Sequence, residues 1–447
     1  MGKARRFLLY KCLLGALALP LLVYAGARAY AGVHPGYAAA RAVPPWRLYT
    51  LAGDGIQSFG GDGGPARRAQ LNAPYGMAFD GAGNLIFADY YNHRIRRLDR
   101  RTGMVTTLAG TGRQGYTGDG GPGTAARLNG PYGVAVVGSR LFIGDYYNHC
   151  VRELDLDTGV IGTFAGTGKS GFQGDGGSAR TARLDEPLDI RLDPSGRVLY
   201  VADFGNNRVR KIDLQTERIT TVAGSGAYGY SGDGGPAVAA NLDGPFTMVA
   251  DEAGPVYLSD SHNHCIRRVA GSTGILTTLA GMGIPGCLGD GGFARLALLH
   301  GPYGLALDGK GHLFFSDSDN DRIRRIHLET GIIVTVAGTG SPGSAAEVEL
   351  ATEADLNGPY GIALDPEGSL YVAEYFNHRI RKAATSVPAR DPEPEEEPAA
   401  RQSRIARQVF GGLPAAATGS TGAQSSRRAL GHALFHDRRL SRSQDLA

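Results

Sequence analysis

The sequence predicts an all-β protein, and three observations lead to this prediction. Glycine accounts for 68 of the 447 residues, which is about twice its ordinary frequency and indicates many turns. Apolar residues make up 42% of the chain and charged residues only 20%, which excludes a coiled coil and a charge-driven disordered chain. Short segments rich in β-formers also recur along the chain with a fixed period.

The period is visible in two strings. The first has the form DYYNHRIRRLD, and its six copies are spaced by 56 to 58 residues, beginning at Asp89, Asp145, Asp203, Asp260, Asp317 and Glu374. The second has the form TLAG, and its six copies end at Gly53, Gly110, Gly166, Gly224, Gly281 and Gly338. A fixed period of this kind is the signature of a repeat architecture.

Each repeat is predicted to form four short strands. In the first unit these are Tyr75–Asp80, Asn84–Tyr90, His93–Asp99 and Met104–Ala109, each bounded by turn sequences. Four antiparallel strands repeated six times predict a six-bladed β-propeller.

The two ends of the repeat region complement each other. The last unit lacks a TLAG strand, whereas one such strand, Trp46–Gly53, stands alone before the first complete unit. We therefore predict that Trp46–Ala52 pairs with His378–Lys382 as the outermost strand of the last blade and closes the ring.

The remaining segments differ in composition from the repeats. Residues 1–32 begin with Lys3, Arg5 and Arg6 and continue with the apolar run Leu13 to Ala27, a pattern typical of a cleaved signal peptide or of an uncleaved anchor. Both alternatives predict export, with a membrane contact only through the anchor. Residues 33–45 are predicted to be a linker, residues 46–383 the propeller and residues 384–447 a disordered tail.

The net charge of the repeat region restricts the partners that it can bind. Residues 1–45 carry a net charge of +6 and the tail +2, so residues 46–383 carry −5. This predicts no nucleic-acid partner, because nucleic-acid binding normally requires a basic face.

Among the four cysteines, Cys265 with Cys287 is the one disulfide pairing that we consider, and their spacing alone does not decide whether the bond forms.

The first string resembles the NHL repeat, which is named for an Asn-His-Leu triplet. The triplet reads NHR at Asn92 and Asn377 and NHC at Asn148 and Asn263, and the resemblance covers residues 46–383. The linker sequence GDGGPA, at Gly61 and Gly232, is similar to that of the NHL propellers of teneurin-type and bacterial secreted proteins. The resemblance implies a six-bladed scaffold, a fold that hosts unrelated activities.

One face of the propeller is predicted to bind a partner. Strand direction places the long linkers and the turns of the first string on the same face. The linker from Gly110 to Pro131 is far longer than the ordinary connection of about 4–6 residues. Long loops on a rigid scaffold are the usual place for a binding site.

Two sets of residues recur in every blade or nearly so, and a turn role is predicted for both. The aspartate and asparagine of the first string are expected to bond backbone amides. The linker aspartates are expected to form tight turns between glycines; they are Asp62, Asp119, Asp175, Asp233 and Asp290.

A third set breaks the sixfold symmetry near the predicted mouth of the central channel. Its aromatic members follow the linker proline and are Tyr75, Tyr132, Phe246, Tyr303 and Tyr360. Its polar members are Asp185, Asp189, Asp243 and His300. Turn capping and a cation or polar-ligand site are both open for the polar residues.

Two functional hypotheses follow. The first is an exported binding module without a cofactor, whose partner is a protein or glycan at the cell surface. The sequence contains no GxSxG, HExxH, phosphate-binding loop or dinucleotide fingerprint. The alternative is a metal-dependent propeller enzyme, lactonase-like or a lyase, in which Asp185, Asp189, Asp243 and His300 hold calcium or zinc.

Overall fold

Six antiparallel sheets form the molecule in the computed structural model, which describes residues 40–344 and 349–385. The innermost strands of neighbouring sheets contact each other around a closed ring. The predicted six-bladed β-propeller is therefore confirmed. Within the described residues, no helix is long and apolar enough to cross a membrane.

The first strand in the chain, β1 (Arg47–Ala52), belongs to the last blade. Blade one contains β2 (Gly64–Pro65), β3 (Pro74–Phe79), β4 (Leu85–Asp89), β5 (Arg94–Leu98) and β6 (Met104–Ala109). Blade two contains β7 (Gly121–Pro122), β8 (Pro131–Val137), β9 (Arg140–Asp145), β10 (Cys150–Asp155) and β11 (Val160–Ala165). Blade three contains β12 (Pro187–Leu192), β13 (Val198–Asp203), β14 (Arg208–Asp213) and β15 (Ile219–Ala223).

The other three blades repeat this arrangement. Blade four contains β16 (Pro245–Ala250), β17 (Val256–Asp260), β18 (Cys265–Val269) and β19 (Leu276–Ala280). Blade five contains β20 (Pro302–Leu307), β21 (His312–Asp317), β22 (Arg322–His327) and β23 (Ile332–Ala337). Blade six contains β24 (Glu349–Leu350), β25 (Pro359–Leu364), β26 (Leu370–Glu374) and β27 (Arg379–Ala384), together with β1.

Short 3-10 helices interrupt the described chain at two kinds of position. One kind lies in the linkers, at Ala66–Arg68, Gly123–Ala125, Ala179–Thr181, Ala237–Ala239 and Ala294–Leu296. The other follows the second strand of a blade, at Tyr90–Asn92, Tyr146–Asn148, Phe204–Asn206, Ser261–Asn263 and Ser318–Asn320.

The hydrophobic core consists of six clusters, each shared by two neighbouring blades. Between blades one and two, for example, Ile86 and Ile95 pack with Val134 and Ile143. Since each sheet is covered on both faces, its inner strands are apolar on both faces, and every residue of β4 is buried. Blade-to-blade packing therefore stabilises the whole ring.

The predicted ring closure is confirmed. Strand β1 pairs antiparallel with β27, with Arg47 opposite Ala384 and Ala52 opposite Ile380. Trp46 lies just before the strand, and its ring stacks on Phe314 of blade five with 5.8 Å between centroids. The last strand extends to Ala384, one residue beyond the predicted boundary.

The described part of the predicted linker is packed on blade five. Arg325 donates from Nη2 to the carbonyl oxygens of Ala40 and Ala42 at 3.0 and 2.6 Å. Ala40 is buried against Ile332 and Phe293. Residues 1–39 and 386–447, which include the predicted signal or anchor and almost all of the tail, lie outside the described residues.

The disulfide considered between Cys265 and Cys287 is not formed. Neither cysteine is in a disulfide, and neither is Cys150. Cys265 is fully buried in β18, whereas Cys287 lies half-buried in the following linker.

Candidate functional site on the linker face

The linkers and the turns after the second strands lie on one face, as predicted. The amide of Tyr91 donates to the carbonyl of Asn72 at 3.2 Å, and Tyr147 donates to Asn129 at 3.1 Å. We call this surface the linker face.

Where a blade carries the NH triplet, its histidine links that blade to the next. His93, in the left-handed region with a φ of 51°, accepts a hydrogen bond at Nδ1 from the Gly130 amide at 3.1 Å. His149 and His264 accept equivalent bonds from Glu186 and Gly301. Burial lowers the pKa of His93, and burial with the nearby His300 lowers the pKa of His264 to about 4, so both stay neutral and keep Nδ1 as an acceptor.

The aspartates of the first string anchor the ends of the linkers, which fits their predicted turn role. Asp89 accepts the Asn72 amide at 2.7 Å and the side-chain amide of Asn92 at 2.9 Å. The same backbone bond recurs at Asp145, Asp203, Asp260 and Asp317. These carboxylates therefore hold the linkers in place.

A fully buried arginine in every blade escaped the sequence analysis. Arg96 bonds Asp89 at 3.0 Å and the linker Asp62 at 2.8 Å, so each linker aspartate is an ion-pair partner as well as a turn residue. The set comprises Arg96, Arg152, Arg210, Arg267, Arg324 and Arg381. The sequence does contain a pattern that marks these arginines, since each lies seven positions after the first residue of a copy of the first string.

Burial controls the protonation of the aspartates in this set. It raises the pKa of Asp89 to about 6, although the Asn92 side chain, the Asn72 amide and Arg96 all act to lower it. Burial raises the pKa to about 6 at three equivalent residues, Asp145, Asp203 and Asp260.

The structure brings the predicted aromatic residues together but buries them. The ring centroids of Tyr75 and Tyr132 lie 3.9 Å apart, those of Phe246 and Tyr303 4.3 Å, and those of Tyr303 and Tyr360 4.8 Å. None of the five side chains is more than 8% exposed. Because the inner strands converge, these rings pack against one another near the axis and present little surface, and their role in binding stays a prediction.

The four polar residues of the predicted cation site have different partners. Asp185 Oδ1 lies 3.3 Å from His149 Nδ1, and Asp243 Oδ1 lies 3.3 Å from His262 Nδ1. His300 Nε2 lies 3.6 Å from Asp319 Oδ2. In the described part of the chain, no group of three or more His, Cys, Asp or Glu residues is placed to hold a metal ion.

Asp189 forms a polar bridge across the axis. It replaces the glycine of four other blades, lies 2.9 Å from Arg191 Nε and accepts a bond from Thr247 Oγ1 at 2.5 Å. Arg191, which the sequence analysis missed, also donates to the carbonyl of Met77 in blade one at 3.3 Å. This cluster connects blades one, three and four.

The linker tips are exposed on the linker face. Each linker contains a glycine with a φ between 75° and 96°, at Gly55, Gly112, Gly168, Gly226, Gly283 and Gly340. The residue after it is exposed in every blade but differs in type, being Ile56, Arg113, Lys169, Ala227, Ile284 and Ser341. The tips thus share a backbone conformation and differ in side chain.

Comparison with known proteins decides the family. The NHL repeat model matches residues 184–212, which span the inner three strands of blade three. The chain is an NHL-repeat protein. This NHL-repeat chain is 26% identical to the NHL repeat-containing protein 2 of Bos taurus, over 66% of its own length and 44% of the relative's.

Further matches of the NHL-repeat chain include two other relatives and one solved structure. It is 32% identical to the protein SUPPRESSOR OF QUENCHING 1, chloroplastic, of Arabidopsis thaliana, over 59% of its own length and 26% of the relative's. It is 28% identical to mouse teneurin-1 over 49% of its length and 9% of the relative's. The chain thus spans less than half of these relatives.

The solved structure shows the fold alone. It is a protein of unknown function from Bacteroides thetaiotaomicron, 20% identical, with 76% of each chain covered and a TM-score of 0.57.

Proposed function

We propose that this NHL-repeat protein is an exported binding module that holds a protein or glycan of the cell surface on its linker face. The observation that carries the proposal is the combination of constant backbone and variable tips. A positive-φ glycine fixes each tip, and the exposed residue that follows changes from blade to blade. Variable side chains on a rigid scaffold are how recognition surfaces are commonly built.

The scaffold beneath the tips supports this proposal. In blade two the linker is fixed by hydrogen bonds from Gly115 to Leu128 and from Asn148 to Gly115, at 3.2 and 2.7 Å. The buried Arg152 reaches the same linker through Asp119. A surface ordered before binding loses little conformational entropy when a partner docks.

The metal-dependent enzyme has less support. Asp185, Asp243 and His300 each lie beside a different neighbour, and Asp189 is engaged by Arg191 and Thr247. Binding calcium or zinc at these residues would require breaking several of these contacts.

Footprinting tests the proposal. The full-length protein is screened on an array of glycans and cell-surface ectodomains, and each complex is mapped by hydroxyl-radical footprinting. We expect protection at exposed tip residues such as Tyr228 and Ile284, which are 75% and 57% exposed. The variant Y228S/I284S should weaken capture of a partner that protects these residues. The matched control R101Q/K310Q, on the opposite face, should not. Protection confined to the opposite face would contradict the proposal.

A further inference from the structure

Two positions in each linker divide the linker face into chemically different sectors. The first is the tip residue after the positive-φ glycine. The second lies fourteen residues later, where the linker returns beneath the tip, and is occupied by Gln70, Arg127, Arg183, Asn241, Leu298 and Asp355. A cation occupies both positions only in blades two and three. Blade five has Ile284 and Leu298 at the same places.

In blades two and three, backbone hydrogen bonds join the segment that follows the tip to the segment that returns beneath it. In blade two the Arg127 amide donates to Thr117 at 3.3 Å and the Gly115 amide donates to Leu128 at 3.2 Å. In blade three the Arg183 amide donates to Gln173 at 3.1 Å. Arg113, Arg127, Lys169 and Arg183 are all exposed. We call these four residues the cationic patch.

The charge of the cationic patch is not neutralised by its surroundings. The linker carboxylates Asp119 and Asp175 are engaged by the buried Arg152 and Arg210. Asp185 and Glu186, which follow Arg183 in the chain, are buried. Among the described residues, none of the four patch side chains forms an ion pair. The patch is therefore positive on a propeller whose residues 46–383 carry −5.

We infer that the cationic patch binds an acidic polysaccharide through its repeated carboxylate or sulfate groups. This inference rests on the proposed function, since it names the partner chemistry of one sector of the linker face. Four exposed cations on two adjacent blades match a polymer that presents anions at intervals. Arginine in particular recognises carboxylate and sulfate-like groups through paired N–H donors.

The surroundings of the patch favour a glycan over a single-stranded nucleic acid. Binding of single strands relies on aromatic rings on which bases stack. The two aromatic rings nearest in sequence, Tyr116 and Phe172, are 41% and 40% exposed, and both already have partners. Arg208 covers one face of Phe172 at 3.6 Å, and the Tyr116 hydroxyl bonds Thr163 at 2.7 Å. The patch thus offers four exposed cations beside only two partly exposed rings.

The apolar residues of the face favour a glycan over an acidic protein. Protein interfaces depend on apolar and aromatic anchors near their centre. The most exposed apolar side chains in the described linkers between blades lie in other sectors, including Tyr228 in blade four and Ile284 in blade five. Recognition at the patch therefore depends on charge.

The test uses the full-length protein and polygalacturonate as the probe, with neutral dextran as the reference polymer. The key variant, R113A/R127N/K169A/R183N, carries at each position the residue that blade four has there, so the scaffold already accommodates it. The control R101Q/K211Q/R218Q/K310Q removes four exposed cations outside the linker face. Binding is measured from about 50 to about 300 mM salt.

We expect wild-type binding that weakens steeply with salt, a loss of at least about tenfold in the key variant at low salt and a change of less than about twofold in the control. The variant A227K/N241R, which extends the patch to blade four, should bind more tightly. Equal binding by wild type and key variant, or no binding by wild type, would overturn the inference.

Two further arms identify the class of polymer. Tighter binding of single-stranded RNA or of polyglutamate than of polygalacturonate, at equal charge concentration, would also overturn the inference. The proposed function is tested separately, because it predicts protection at linker tips outside the cationic patch as well. If a partner protects Tyr228 and Ile284 while polygalacturonate does not bind, only the inference about the cationic patch is overturned.

Discussion

Blade six and the other five blades solve the same packing problem differently. In blades one to five the buried arginine contacts two carboxylates, one from its own sheet and one from the linker. In blade six the linker sequence lacks that aspartate, and Arg381 lies 3.6 Å from Glu374. Blade six thus differs from the others in its linker sequence and in having a strand, β1, that comes from the opposite end of the repeat region and pairs with β27.

Of the changes predicted here to affect stability, deletion of residues 46–52 should have the largest effect. The deletion removes the strand that pairs with β27, together with Leu48 and Ala52, which are fully buried in the clusters on the two sides of blade six. We expect a melting temperature lower by many degrees, or loss of cooperative unfolding, in a thermal scan. Substitution of the exposed Arg47 by Ala is the control. Equal melting temperatures with and without residues 46–52 would show that this strand does not stabilise the ring.

Replacing the buried arginine should cost more in blade one than in blade six. Arg96→Met leaves Asp89 buried without its cation, a loss of about 3–5 kcal/mol for a broken buried pair. Arg381→Met should cost less, because Glu374 has a pKa of about 7 and can become neutral by binding a proton. Urea unfolding of both variants at neutral pH measures the difference. An equal or larger cost for Arg381→Met would show that the two blades do not differ in this way.

Stability should fall as the pH rises toward neutrality. Burial raises the pKa of Glu374 to about 7 and that of Asp89 to about 6. At pH values between the usual pKa of each group and its raised pKa, the folded state therefore binds more protons than the unfolded state. The free energy of unfolding therefore decreases with rising pH from about 4 to about 7.

The variant E374Q isolates the contribution of blade six. Since glutamine does not titrate, the variant should lose less stability than wild type between about pH 6 and about pH 8, by about 1 kcal/mol. Urea midpoints measured across this range provide the check. If the free energies of unfolding of the two proteins changed with pH in parallel, Glu374 would not be the source of the pH dependence.

The smallest effect is expected at the axis. In the described structure the hydroxyls of Tyr75 and Tyr132 are buried without a hydrogen-bond partner, and an unsatisfied buried hydroxyl is unfavourable. Tyr75→Phe with Tyr132→Phe should therefore leave the melting temperature unchanged or raise it slightly. Tyr371→Phe is the comparison, since its hydroxyl bonds Asp365 and Lys382 and its loss should be destabilising. A clear loss of stability in the axial pair would indicate ordered water or another partner there.

The sequence predicted the fold because its signals are local and repeated. Turn glycines and the regular spacing of the first string define the blades, and the orphan strand at Trp46–Gly53 reveals the closure. The ion pair between Arg96 and Asp62 was missed because the partners lie 34 residues apart, and no local pattern pairs them. The axial packing of Tyr75 and Tyr132 was missed for a similar reason, since the width of the channel depends on how six strands converge.

The register of the closing strands has a mechanical consequence. Arg47, at the start of β1, lies opposite Ala384, at the end of β27, so tension applied across these two residues would act at one end of the ladder. The hydrogen bonds would then open one after another, as in a zipper, instead of resisting together in shear. If the tension instead reached Arg47 through the chain that precedes it, the contacts of Arg325 with Ala40 and Ala42 would be loaded before the ladder.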